Sequence, residues 1–153
     1  MINRIAENAL KRLASQFPVV GITGPRQSGK STLAKMTFPN KQYLSFDDKT
    51  LREIASSNPK DFLLAFPDGA IIDEAQKVPE IFDAVKYYVD SEKSEPGKYI
   101  LTGSSQFKLK ENMSDSLAGR VAFLKLLPFT IEELKSNKIL AKNPCIFRVK
   151  GLR

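Results

Sequence analysis

The chain of 153 residues predicts an α/β fold. Two stretches carry that expectation. Val19 to Leu33, VVGITGPRQSGKSTL, runs from a β-branched apolar segment through a glycine loop into a helix start. Later, Ala70-Ile71-Ile72 is a short buried-type strand that ends in two carboxylates, Asp73 and Glu74. Strands of this kind alternate with amphipathic helices along the chain, the pattern of an α/β layer architecture.

The elements follow in order. Ile2, Ile5, Ala6, Ala9, Leu10 and Leu13 make an apolar stripe at helical spacing, with Arg4, Glu7, Lys11 and Arg12 around it. Phe17 to Thr23 reads as the first strand, and Ser31 to Met36 opens the next helix. Gln42 to Phe46 is a second strand ending at Asp47-Asp48, where Asp48 is placed to cap the following helix. Pro59 starts a short helix through Phe66, with Asn58 as its cap. Asp68-Gly69 turns the chain into the Ala70–Ile72 strand. Val78, Ile81, Phe82, Val85 and Val89 then trace an amphipathic helix started by Pro79. A polar loop, Ser91 to Gly97, leads to a strand over Lys98–Thr102. Val121 to Leu126 is the last strand, broken by Pro128, and Thr130 caps a final helix.

Gly24-Pro25-Arg26-Gln27-Ser28-Gly29-Lys30-Ser31 fits G-x-x-x-x-G-K-[ST], the phosphate-binding P-loop. Gly24 and Gly29 let the backbone turn tightly and approach a ligand without a Cβ clash. Successive N–H groups then face one concavity, with the positive end of the helix dipole behind them. In this arrangement Lys30 reaches the β- and γ-phosphates, Ser31 ligates Mg²⁺, and Thr32 adds a contact to the α-phosphate. The acidic end of the Ala70–Ile72 run has the Walker B pattern: Asp73 holds Mg²⁺, and Glu74 orients or deprotonates the attacking water. The hydroxyls at the tip of the Lys98–Thr102 strand, Thr102 first and Ser104 in reserve, are candidates for sensing the γ-phosphate. A capped turn is the alternative reading of both.

Composition narrows the chemistry. With no histidine and one cysteine, Cys145, the chain builds neither a Cys/His zinc site, nor a Ser-His-Asp triad, nor an internal disulfide. Carboxylates, Lys, Arg, hydroxyls and a bound hard metal remain, which is the inventory of phosphoryl transfer. No apolar run approaches the roughly 18 residues of a membrane span, and MINRIAENALKRL lacks a signal-peptide core. The expectation is a cytoplasmic chain. The net charge of +7 belongs largely to residues 137–153, where Lys138, Lys142, Arg148, Lys150 and Arg153 meet no acidic residue, leaving +2 for residues 1–136. The charge alone therefore supports a DNA partner only weakly. The chain divides into a nucleotide-binding domain over 1–136 and a basic tail over 137–153.

GPRQSGKST, YLSFDD, AIIDEAQKVPEIF, YILTGSSQF, SLAGRV and LLPFTIEEL occur in that order. With them the chain resembles the N-terminal ATPase domain of prokaryotic AAA-type ATPases that carry a C-terminal domain of unknown function. The resemblance runs from about Ile2 to Leu134. It implies a three-layer P-loop fold with a parallel five-stranded sheet in the order 5-1-4-3-2 and helices on both faces. It implies ATP and Mg²⁺ as ligands. It also implies that Arg120 supplies an arginine finger to a neighbouring subunit of a homo-oligomer; from the residues alone, Arg120 is an arginine before a strand, with a surface salt bridge as the alternative. Members continue into a second domain, so the basic tail reads as the start of a C-terminal region.

The expected function is Mg²⁺-dependent ATP binding and hydrolysis that drives a conformational or assembly cycle. A nucleotide-switched binding module with little turnover is the alternative. A small-molecule kinase is a third, although the chain shows no compact arginine-rich lid. Asp73-Glu74-Ala75-Gln76 also resembles helicase DExx boxes, which work with a second motor domain. A DNA or protein client is not specified by these residues.

Overall fold

The computed structural model describes residues 6–91, 95–104, 111 and 116–128. The expected Thr130 helix and the basic tail lie outside the described residues. Chain order is α1 (Ala6–Ala14), β1 (Val19–Thr23), α2 (Lys30–Thr37), β2 (Gln42–Ser45), α3 (Lys49–Ser57), α4 (Pro59–Leu64), β3 (Ala70–Asp73), α5 (Glu80–Ser91), β4 (Tyr99–Gly103) and β5 (Val121–Lys125). A 3₁₀ turn, Ala75–Lys77, sits between β3 and α5. That turn was not expected from the sequence.

The five strands form one parallel sheet in the order β2-β3-β4-β1-β5. This is the predicted 5-1-4-3-2 order read from the other edge. Parallel strands need crossovers, and among the described residues α2, the α3–α4 pair and α5 supply three of them. Strand periodicity then sorts the side chains. Val20, Ile22, Ile71 and Ile100 pack against Leu10 and Ala14 of α1 and Leu33 and Ala34 of α2. Val19, Leu44, Ile72 and Leu101 face Ala55, Phe62, Phe82 and Val85 of α3, α4 and α5. Fully burying each aliphatic or aromatic side chain contributes about 1.5–3 kcal/mol, so these two cores carry most of the stability.

Capping set the helix starts as the residues suggest. The Asp48 carboxylate accepts from Thr50 N and Leu51 N at 2.8 and 3.2 Å. Asn58 Oδ1 accepts from Asp61 N at 3.3 Å, ahead of Pro59 at the first helical position. β1 begins at Val19 rather than Phe17, because Pro18 has no N–H to give to the ladder. Its carbonyl still accepts from Tyr99 N at 3.0 Å.

The consequence for function lies in strand direction. With every strand parallel, all five C-terminal ends share one edge of the sheet, where open α/β folds bind ligands. There β1 runs into the glycine loop, β3 into Asp73-Glu74, β4 into Ser104 and β2 toward Asp47.

Candidate functional site

The glycine loop is wedged beside the end of β5. A Cβ on Gly24 would stand 2.1 Å from the Leu126 carbonyl oxygen, so only glycine fits there. Leu126 N in turn donates to Thr23 O at 2.7 Å, extending the β1–β5 pairing to the mouth of the loop. Gln27 and Gly29 both take left-handed backbone, with φ of 60° and 87°. Gly29 is the N-cap of α2, and no side chain caps that helix. Its positive end is therefore left to a ligand.

Lys30 is the first residue of α2 and is buried at 6% exposure. Its Nζ donates to Gly24 O at 3.1 Å and Pro25 O at 2.7 Å, folding the side chain over the loop. Burial lowers its pKa below the ordinary 10.5, and the charges of Glu74 and Asp73 partly oppose that fall.

Asp73 ends β3 on the α1/α2 side of the sheet, two residues after Ile71. One carboxylate oxygen, Oδ1, accepts from Ser31 Oγ at 2.9 Å and from Thr102 Oγ1. The other, Oδ2, accepts from the Tyr43 hydroxyl at 2.6 Å. Tyr43 and Thr102 lie on that face by the same two-residue period that places Asp73 there. Burial, followed by the hydrogen bond to Asp73, pushes the Tyr43 pKa up to about 12. Lys35 Nζ stacks 3.4 Å from the centre of the Tyr43 ring.

Glu74 takes left-handed backbone, φ 54°, a conformation that costs of order 1–3 kcal/mol for a non-glycine residue. Its side chain is held from two directions: Gln76 Nε2 donates to Oε2 at 2.5 Å, and Ser104 Oγ donates to the same oxygen at 2.9 Å.

These groups surround a cavity of about 500 Å³. Arg26, Gln27, Gly29, Lys30, Ser31 and Thr32 line its loop side, while Asp73, Glu74 and Ser104 line the sheet side. Gly24, Pro25 and Ser28 shape the loop without lining the cavity, with Ser28 buried at 3% exposure. Thr102 does not line the cavity. It is fully buried and spends its hydroxyl on Asp73, because it shares the inner face with Ile100; Ser104, beyond the strand end, reaches the cavity instead.

Arg120 lies at the opposite edge of the sheet. It immediately precedes β5, which pairs in parallel with β1 from Val121 beside Val19 to Lys125 beside Thr23. Its guanidinium clamps the Asp90 carboxylate of α5 through Nε and through Nη2, the latter at 3.0 Å. That bond holds the Asp90 carboxyl below its usual range and raises the Arg120 pKa. Arg120 is thus remote from the cavity of its own chain.

Four residues of the site receive no individual role from the sequence: Tyr43, Gln76, Asp47 and Lys77. Strand parity between the β2 and β3 ends points to Tyr43. Gln76 and Lys77 stand on the unexpected 3₁₀ turn.

For a divalent ion the donors are hard oxygens. Ser31 Oγ and Asp73 Oδ1 already meet at 2.9 Å. Among the described residues no group of three or more His, Cys, Asp or Glu could hold a metal. A Mg²⁺ ion, which keeps several waters and takes one or two protein oxygens plus substrate phosphates, suits that sparse donor set.

Comparison with known families matches the AAA domain over residues 16–135. The chain belongs to this family. The AAA domain here is 34% identical over 137 residues to an uncharacterized protein of Mycobacterium tuberculosis, and equally to one of Mycobacterium bovis. The match takes in 88% of this chain and 30% of each relative, so the chain spans about a third of the curated relatives' length. Among solved structures it resembles a Walker-type ATPase of Pyrococcus abyssi (TM-score 0.60, 20% identity, 91% of this chain and 59% of that one). It also resembles domain III of the Thermotoga maritima replication initiation protein DnaA (TM-score 0.53, 20% identity, 89% and 68%). These likenesses establish an AAA-type P-loop NTPase fold. Among the described residues no helix is long and apolar enough to cross a membrane.

Proposed function

We propose that this AAA domain binds ATP with Mg²⁺ and hydrolyses it to drive a conformational or assembly cycle. The observation that carries the reading is the Glu74 carboxylate, held by Gln76 and Ser104 at the wall of the cavity that Lys30 and Ser31 enter from the loop side. A carboxylate fixed in place beside a phosphate cradle is what a water-activating base requires.

In this reading the loop N–H groups and Lys30 bind the phosphates, and Lys30 leaves the Gly24 and Pro25 carbonyls to do so. Ser31 and Asp73 would hold Mg²⁺, which would supply charge neutralisation at the phosphate oxygens. Thr102 and Tyr43 orient Asp73. Glu74 takes the proton of the attacking water, and Ser104, rather than Thr102, reports the terminal phosphate to Glu74. Arg120 acts in a neighbouring subunit, a role its distance from its own cavity favours. Phosphate release from ATP without any acceptor tests the proposal; tight ATP binding with negligible release would point to a nucleotide-switched module instead.

A further inference from the structure

Two charged side chains line the cavity without belonging to either phosphate motif. Lys77 closes the 3₁₀ turn after Glu74, and its N–H donates to the Glu74 carbonyl at 3.0 Å. Asp47 stands two residues beyond β2. Their side chains form an ion pair that bridges elements 30 residues apart. Lys77 is 36% exposed and Asp47 66%, so water screens the pair and stability gives little reason for it. Such a pair is easily exchanged for a stronger one.

Position decides what would displace Asp47. Arg26 and Lys30 bring positive charge from the loop side of the cavity. Lys77 brings it from outside the loop, on the turn that follows Glu74. If Glu74 faces the attacking water, that turn is the one beside the terminal phosphate. We infer that Lys77 is a contact specific to the nucleoside triphosphate, exchanging the Asp47 carboxylate for the terminal phosphate when that phosphate is present. The inference rests on the reading of the cavity as a nucleotide site. A flexible lysine stem with three rotatable donors suits such an exchange, and a phosphate offers more charge and more acceptor oxygens than one carboxylate. With a diphosphate bound, Lys77 stays on Asp47. The ion pair thereby separates substrate from product.

Calorimetric titration with Mg-ADP and with a non-hydrolysable Mg-ATP analogue tests this on the wild type, Lys77→Ala, Lys77→Arg and Asp47→Asn. Both positions are at least a third exposed, so the variants leave the core intact. Lys77→Ala should weaken the analogue roughly 10- to 100-fold and leave ADP within about twofold. Lys77→Arg should keep the preference for the analogue, and Asp47→Asn should strengthen it by freeing Lys77. Equal losses for both nucleotides, or no loss for either, would overturn the inference while leaving the nucleotide site standing. A wild type that binds neither nucleotide would overturn the site reading itself, and this inference with it.

Discussion

Ser31 Oγ donates to Asp73 Oδ1 at 2.9 Å, joining the first turn of α2 to the end of β3 across 42 residues of chain. The bond holds together the two oxygens that would share a Mg²⁺ ion. Ser31→Ala removes one of them. Nucleotide affinity measured with Mg²⁺ should fall at least tenfold, whereas affinity in excess EDTA should change little. Equal affinities of variant and wild type in Mg²⁺ would remove Ser31 from the metal site.

Tyr43→Phe tests the support behind Asp73. The variant keeps the ring beneath Lys35 and deletes the hydroxyl that donates to Oδ2 at 2.6 Å. A carboxylate held only through Oδ1, by Ser31 and Thr102, orients a metal less well, so the Mg²⁺ concentration giving half-maximal nucleotide binding should rise roughly 10-fold. The check is a Mg²⁺ titration at fixed nucleotide.

Lys30 sets stability against function. Its folded pKa lies below 10.5 because burial disfavours the charged form. At neutral pH the ammonium is charged in both folded and unfolded chains, and the burial cost is present in full. As pH rises through the folded value, the folded chain sheds the proton first, and the unfolded chain binds more protons than the folded one. Stability relative to Lys30→Met should therefore rise over the window ending at about pH 10.5. Denaturant unfolding of both proteins along a pH series reads the difference directly. Lys30→Ala, in parallel, should sharply weaken ATP binding.

Arg120 calls for a mixing experiment. If it acts across a subunit boundary, Arg120→Ala should lower turnover by up to roughly 10³–10⁵-fold with little change in ATP affinity. It must also leave Asp90, a half-exposed partner that it grips through two nitrogens. Mixing Arg120→Ala with Glu74→Gln rebuilds one composite site from the intact halves, so activity should partly return. No recovery in a mixture shown by sedimentation to co-assemble would leave Arg120 as a local residue bonded to Asp90 and Ala118.

The phosphate loop, both acidic residues at the end of the Ala70–Ile72 run and the alternation of elements were legible, because each is a local pattern of residue type and spacing. Asp48 and Asn58 were readable as caps for the same reason. What surrounds Asp73 was not local. Tyr43 and Thr102 reach it only because β2, β3 and β4 are parallel neighbours in a fixed register, and that register is set by packing on both sheet faces. Thr102 looked like a strand-tip hydroxyl, yet parity turns it inward and leaves Ser104 at the cavity. The placement of Gln76 and Lys77 was not legible because AQK has no strong turn signal; the 3₁₀ turn forms where left-handed Glu74 redirects the chain toward Pro79.

The central claim is that the cavity hydrolyses ATP with Glu74 as base. Its most direct test is phosphate release from Mg-ATP by the wild type and by Glu74→Gln, with binding of ATP measured on the same samples. Glutamine keeps the shape and the hydrogen bonding of Glu74 but cannot take a proton. The account predicts wild-type release that EDTA abolishes, and release roughly 10²–10⁴-fold slower in the variant at unchanged ATP affinity. Turnover in Glu74→Gln equal to that of the wild type would contradict it.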